Sequence, residues 1–179
     1  MPAIDEGLPA SAWHLSEEGR DKCEALSRYL SMYFPAKIFS SEEPKAFETA
    51  QLSTSNYSSN QIITDWRLNE HFRETYKFQD QSKFKSHVQG FFEFPDKLIF
   101  GEETADHAYT RFSEVIDEII MNRNPAYNSL VFSHGTVISL WVSRTMRIAP
   151  FPLWKKLTLP SIIAVKPDYP PDFELVTDI

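Results

Sequence analysis

The residues best suited to chemistry lie in the run Asn128 to Ser139, Asn-Ser-Leu-Val-Phe-Ser-His-Gly-Thr-Val-Ile-Ser. Leu130 to Ser133 suit a buried strand, and Thr136, Val137, Ile138, Leu140 and Trp141 suit the start of a buried helix. A sharp turn between them places His134 at the carboxyl end of a sheet, where open α/β sheets bind ligands. There it stands beside the N-terminal amides of the next helix, which suit an anion. A histidine that only shapes a strand–helix turn fits the tripeptide equally. Two more polar clusters, Ser40 to Lys45 and Asn69 to Arg73, fall at the ends of predicted strands, and parallel neighbours would bring all three together. Lys45 near a helix start suits phosphate or carboxylate, although a solvated surface lysine reads the same way. Glu70 becomes a proton donor if burial against aromatics raises its pKa, and is otherwise a surface glutamate. His71 and Arg73 are further polar candidates. No metal is expected, because Glu70, His71 and His134 offer no helical ligand spacing.

The elements that must position these residues alternate. Residues 1 to 14 are irregular, broken by Pro2, Gly7 and Pro9. Ser16 can cap a helix from about Glu17 to Phe34, with Cys23, Leu26, Leu30 and Tyr33 on its apolar face. Lys37 to Ser40 reads as a short strand. Pro44 suits the first residue of a helix carrying Ala46, Phe47 and Ala50 inward, fading in the polar run Ser53 to Asn60. Ile62 to Thr64 is a second strand. The aromatic stretch from Phe72 to Phe100 reads as an excursion with short helices over the end of the sheet. A helix from about Thr104 to Asn122 carries Ala108, Phe112, Val115 and Ile119 on its stripe. A helix over 136–147 and a rigid Pro150-Phe151-Pro152 connector follow. Ser161 to Val165 and Phe173 to Val176 suggest a hairpin about the turn-rich Lys166 to Pro171. Strands alternating with helices argue for an α/β layered domain.

The bulk composition narrows the partners. A chain of 179 residues, 42% apolar and 24% charged, is most simply one domain, 1–179, with 72–100 as an insertion over the site. The net charge of −7 argues against nucleic acid or anionic lipid as a partner, but not against a small anionic substrate. Cys23, the one cysteine, suits apolar packing. No apolar run spans a bilayer and Met-Pro-Ala-Ile-Asp-Glu lacks signal-peptide character, so a cytoplasmic location is expected. Oligomeric state is left open.

Five segments in order resemble the histidine phosphatase superfamily, the phosphoglycerate-mutase-like fold. Leu15-Ser16-Glu17-Glu18-Gly19 is similar to its Leu-Ser-x-x-Gly opening of the first helix. Ser40 to Ala50 resembles its Ser-Ser-x-x-x-Arg-Ala-x-x-Thr-Ala segment. Leu68-Asn69-Glu70 is similar to the segment with the acidic proton donor, Gly101-Glu102-Glu103 to the next helix start, and Ser133-His134-Gly135 to the second histidine motif. The resemblance spans residues 9 to about 165. It implies a three-layer α/β/α fold with a mostly parallel sheet and phosphomonoesterase (hydrolase) activity on a small phosphorylated substrate, without cofactor. A histidine takes the phosphoryl group while an acid protonates the leaving oxygen. Glu70 would be that acid, and His134 would bind and polarise the phosphoryl group. Lys45, Ser41, Gly135 and Thr136 would line the substrate pocket.

Two departures stand out. Lys45 occupies the place of the family's usual arginine, keeping charge but losing the bidentate fork. The Arg-His-Gly motif, which ends the first strand and supplies the nucleophile, is absent, so the chain as it stands is expected to bind rather than turn over. In the family that strand is central, between the equivalents of 130–133 and 161–165. Its loss would leave unpaired backbone groups at about 1–3 kcal/mol each if buried, so a gap, a substitute strand or marginal stability is expected. Met1-Pro2 resembles the family sequence soon after the motif, which fits an internal methionine taken as the start. The alternative is a catalytically inactive, phosphate-ester-binding or interaction module.

Overall fold

A computed structural model describes residues 1–33, 35–57, 61–77, 80–166 and 172–177. Three parallel strands form its main sheet: β1 (Pro35–Ser40), β2 (Ile62–Thr64) and β3 (Asn128–Phe132), in the order β2-β1-β3. The helix α1 (Glu17–Leu30) precedes them. Ser16 caps it by accepting from the Gly19 amide at 3.1 Å, and Cys23, Leu26 and Leu30 form its buried stripe. It ends at Leu30, short of the expected Phe34, which lies outside the described residues. The Leu30 carbonyl accepts from the Tyr33 amide and the Tyr57 hydroxyl instead of continuing the helix.

The crossover from β1 to β2 runs through α2 (Pro44–Ser53), and that from β2 to β3 through α4 (Ala105–Met121). The two crossovers travel in opposite directions along the sheet. Right-handed connections therefore place α2 and α4 on opposite faces, giving the expected three layers. On one face α1 packs with α2; on the other, α4 packs with α5 (Gly135–Met146), which also meets α6 (Pro150–Lys156). The apolar core joins Leu68, Val88, Phe91, Phe112, Val137 and Leu140.

Two expectations need correction. Among its described residues the excursion at 72–100 holds one regular helix, α3 (Gln81–Glu93), capped by Asp80 and burying Val88 and Phe91. The neighbouring aromatics Phe92 and Phe94 obscure its stripe in the sequence. Pro150-Phe151-Pro152 opens the helix α6 rather than forming a connector. Both prolines lie in the first turn, where an amide hydrogen has no intrahelical partner.

The last strands, β4 (Ile162–Lys166) and β5 (Asp172–Val176), form the expected antiparallel hairpin, but as a separate two-stranded sheet. Its turn, residues 167–171, lies outside the described residues. Among the described residues no strand joins β3 to β4. Residues of both, including Leu130, Val131, Ile162 and Ile163, line a cleft of about 2050 Å³. β1, paired on both sides, buries Ile38 and Ser40 completely, whereas β3 buries none of its residues. The expected gap is therefore a feature of the fold.

Gly101 pins the loop that leads away from β2. It adopts φ +77°, and a Cβ there would lie 2.3 Å from the Phe72 carbonyl oxygen and 2.9 Å from the Arg73 backbone. Gly101→Ala is expected to cost about 2 kcal/mol of stability from the left-handed backbone and the clash together. Urea unfolding checks this; a loss under about 0.5 kcal/mol would contradict it.

Candidate active site

The strand order reverses between β1 and β3, and the crevice beyond their carboxyl ends is where such sheets hold ligands. Ser41 follows β1 and His134 follows β3, and their side chains meet there, Nε2 to Oγ at 2.8 Å. The Ser41 hydroxyl also donates to Asn69 Oδ1 at 2.7 Å, and that oxygen accepts the Glu42 amide as well. With the serine hydrogen committed to Asn69, His134 Nε2 must be the donor to Ser41. Burial, and after it the charge of Lys45, pushes the His134 pKa down to about 3, so the ring is neutral and Nδ1 carries no proton.

Glu70 is buried and lies across the start of α5. Its Oε1 accepts the His71 amide at 2.9 Å; its Oε2 accepts the Thr136 hydroxyl at 3.1 Å and lies 3.5 Å from the Thr136 amide. The expected raised pKa does not hold. Burial does push the carboxyl up, but the charge of Arg73, the pull of His134 and the His71 amide outweigh it and hold Glu70 below the usual carboxylate range. Glu70 is therefore an anion. It sits where the α5 N-terminus would otherwise meet a ligand.

Lys45 stands at the second position of α2, but its charge is already matched. Its Nζ donates to the Ala10 carbonyl at 2.7 Å and pairs with the buried Glu43 carboxylate. The other Glu43 oxygen accepts the Glu70 amide at 2.7 Å and lies 3.7 Å from His134 Nε2. Gly135 opens α5 beside Trp154 and Leu157, where a Cβ would make only ordinary contacts, so sterics do not demand glycine there. The three polar clusters thus converge: Ser41 meets His134, Glu70 meets Thr136, and Glu43 links the two pairs to each other and to Lys45. Among the described residues no cluster of histidine, cysteine or acidic side chains suits a metal.

The sequence did not single out the residues that hold this arrangement. Arg111, on the buried face of α4, donates to the carbonyls of Arg67 and Asn69 through Nη1. Its Nη2 donates to the Glu70 carbonyl and to Glu103 Oε1, and its Nε to Glu103 Oε2. All five guanidinium hydrogens are matched. Glu103 Oε1 also accepts the Phe72 amide, and the Glu103 carbonyl faces His71 Nε2 at 3.2 Å. A carbonyl only accepts, so His71 carries its proton on Nε2. Its Nδ1 is left without a partner, and its ring packs against Phe91 and Phe100. His71 therefore supports the loop and does not face the cleft. One signal for Arg111 was present: an arginine five residues from Ile116 and one before Phe112 interrupts an otherwise apolar face.

Two buried neutral histidines make the fold acid-sensitive. Burial pushes His71 down to about 4 and His134 to about 3, from about 6.5 in an unfolded chain. The unfolded state thus takes up protons first as pH falls. Their contribution is complete above pH ~6.5 and is lost progressively as pH drops toward 4 and then 3. Going from pH 7 to 5 is expected to cost about 2 kcal/mol per histidine. His71→Gln should remove roughly half of that dependence; urea unfolding with equal stability at the two pH values would contradict it.

The family model described as "Histidine phosphatase superfamily (branch 1)" matches residues 10–168. Solved structures similar to this chain include Entamoeba histolytica phosphoserine phosphatase in complex with 3-phosphoglyceric acid. That pair has TM-score 0.75 and 16% identity, covering 96% of this chain and 88% of the other. The mycobacterial glucosyl-3-phosphoglycerate phosphatase Rv2419c gives 0.74 and 16%, covering 95% and 89%. Bacillus stearothermophilus YhfR gives 0.71 and 20%, covering 96% and 87%. No curated protein sequence matches the chain. At these identities the structures speak for the fold, and the family match covers most of the chain: it belongs to the histidine phosphatase superfamily.

Proposed function

We propose that this chain carries a phosphate-ester site of the phosphomonoesterase type, with His134, Ser41, Gly135 and Thr136 around the phosphoryl group and Glu70 beside the ester oxygen. The observation that carries this reading is the meeting of Ser41, Glu70, His134 and Thr136 at the switch point between β1 and β3 in a member of this superfamily. The charge of the cleft agrees with an anionic ligand. Among the described residues eight lysines and arginines line it against three glutamates, in a chain whose net charge is −7. The mycobacterial and amoebal phosphatases of similar fold are named for phosphorylated small molecules, the same substrate class. No helix among the described residues is long and apolar enough to cross a membrane.

Turnover through a phosphohistidine needs an imidazole facing phosphorus. Its nitrogen bonds to phosphorus as the ester oxygen leaves and takes a proton from Glu70; water then attacks phosphorus and frees the imidazole. Of the five histidines only His134 stands at the crevice. His14 is exposed against Glu48, His71 lies in its aromatic box, and His87 and His107 are on α3 and α4. In this reading the chain binds its ester, and hydrolysis belongs to a form in which a strand bearing such an imidazole fills the cleft between β3 and β4. Calorimetry with inorganic phosphate is expected to show binding weakened at least ~10-fold by His134→Ala. No hydrolysis of p-nitrophenyl phosphate by the purified chain is expected. Turnover lost on His134→Ala would overturn the binding-only reading, and an absence of phosphate binding would overturn the site itself.

A further inference from the structure

We propose that Arg73, rather than Lys45, is the side chain through which this pocket grips the phosphoryl oxygens of its ligand, an inference that rests on the phosphate-ester reading of the same site. The three cations nearest the crevice differ in what they already hold. Lys45 is committed to Glu43 and the Ala10 carbonyl. Arg111 has every N–H matched by the Glu103 carboxylate and three backbone carbonyls. Among the described residues, Arg73 has no hydrogen bond or ion pair from its guanidinium. Its Nη1 is enclosed without any acceptor. Its one described contact is with a ring face, the guanidinium carbon lying 5.0 Å from the Phe84 centroid.

An enclosed cationic donor without an acceptor is costly to maintain, and an anion is the partner that would satisfy it. A guanidinium also presents the planar fork that matches two phosphate oxygens, the geometry that Lys45 cannot supply. Arg73 lines the same cleft as His134, Gly135 and Thr136. It lines that cleft together with Glu70, the carboxylate expected to serve the ester oxygen, and is the leading charge among those that act on it.

The backbone around Arg73 is fixed before any ligand arrives. Glu103 holds the Phe72 amide at 2.9 Å on one side, and Glu102 holds the amides of Glu74 and Thr75 at 2.7 and 3.0 Å on the other. Gly101 lies directly against the Arg73 backbone. Such a loop need not be ordered on binding, which favours affinity. A bound phosphoryl group also gives Glu70 a second consequence. Once Arg73 faces the ligand's negative charge, its pull on the carboxylate weakens and the new anion opposes ionisation, so the carboxyl moves toward the protonated form a donor needs.

The test is calorimetric titration of the whole chain with inorganic phosphate. Arg73→Met is expected to weaken binding roughly 10- to 100-fold and Arg73→Lys by less, with circular dichroism spectra like the parent's. Independently of any variant, the Arg73 Nε–Hε resonance of the unaltered protein should shift on adding phosphate. If His134→Ala weakens binding while Arg73→Met does not, or if the Arg73 resonance does not move as the others shift, Arg73 is not the grip and the phosphate site stands without it. If the unaltered chain binds no phosphate, both readings fall.

Discussion

Arg111 is the interaction on which the rest of the site depends. It lies on the inner face of α4, and its five hydrogens reach Glu103 and the carbonyls of Arg67, Asn69 and Glu70, so one side chain folds the segment after β2 into a fixed loop. A buried charge pair is weak evidence for stability in itself, because desolvation offsets much of the attraction. Its value here is positional. Without the fork, three carbonyls would lose their donor and Glu103 its counter-charge, leaving the Glu43 bond to the Glu70 amide and the Thr136 hydroxyl to hold Glu70 against the start of α5. The ring of Phe72 beneath the guanidinium, at 4.4 Å, closes the remaining face.

Around that frame the charges form a chain of compensation. Lys45 answers Glu43; Glu43 holds the Glu70 amide; Glu70 covers the N-terminal end of α5 and answers Arg73 at longer range. Among the described residues three buried side-chain atoms lack a partner, Arg73 Nη1, His71 Nδ1 and Ser139 Oγ, and of these residues only Arg73 lines the cleft. The site therefore contains an internal anion, Glu70, where an external one is expected to bind. A ligand must compete with it or protonate it. That couples binding to the acid chemistry that the loop position suggests.

Much of this was legible from residue types and spacing. The strand–turn–helix around His134, the Ser16 cap, the helix beginning near Thr104 and the convergence of three polar clusters follow from short-range rules and hold in the structure. The split sheet was expected from the resemblance alone. What failed depends on long-range charge or on hidden periodicity. Little that is local says that Glu70 is held ionised, because the leading cause is the charge of Arg73, which folding brings near, with the His71 amide behind it. Likewise Lys45 looks like a free cation until Glu43, two residues away, turns inward to meet it. The helix α3 was obscured by aromatics on two faces, and α6 by prolines that its first turn accommodates.

The most direct measurement of this account is amide hydrogen exchange in Arg111→Lys, which keeps the charge and loses the fork. The account predicts at least ~10-fold faster exchange at Glu70, His71 and Phe72, with the β1 amides still protected. These three amides are held by Glu43, Glu70 and Glu103 within the loop that Arg111 closes. Unchanged protection at all three would contradict the claim that this one guanidinium sets the loop on which Glu70 and Arg73 stand.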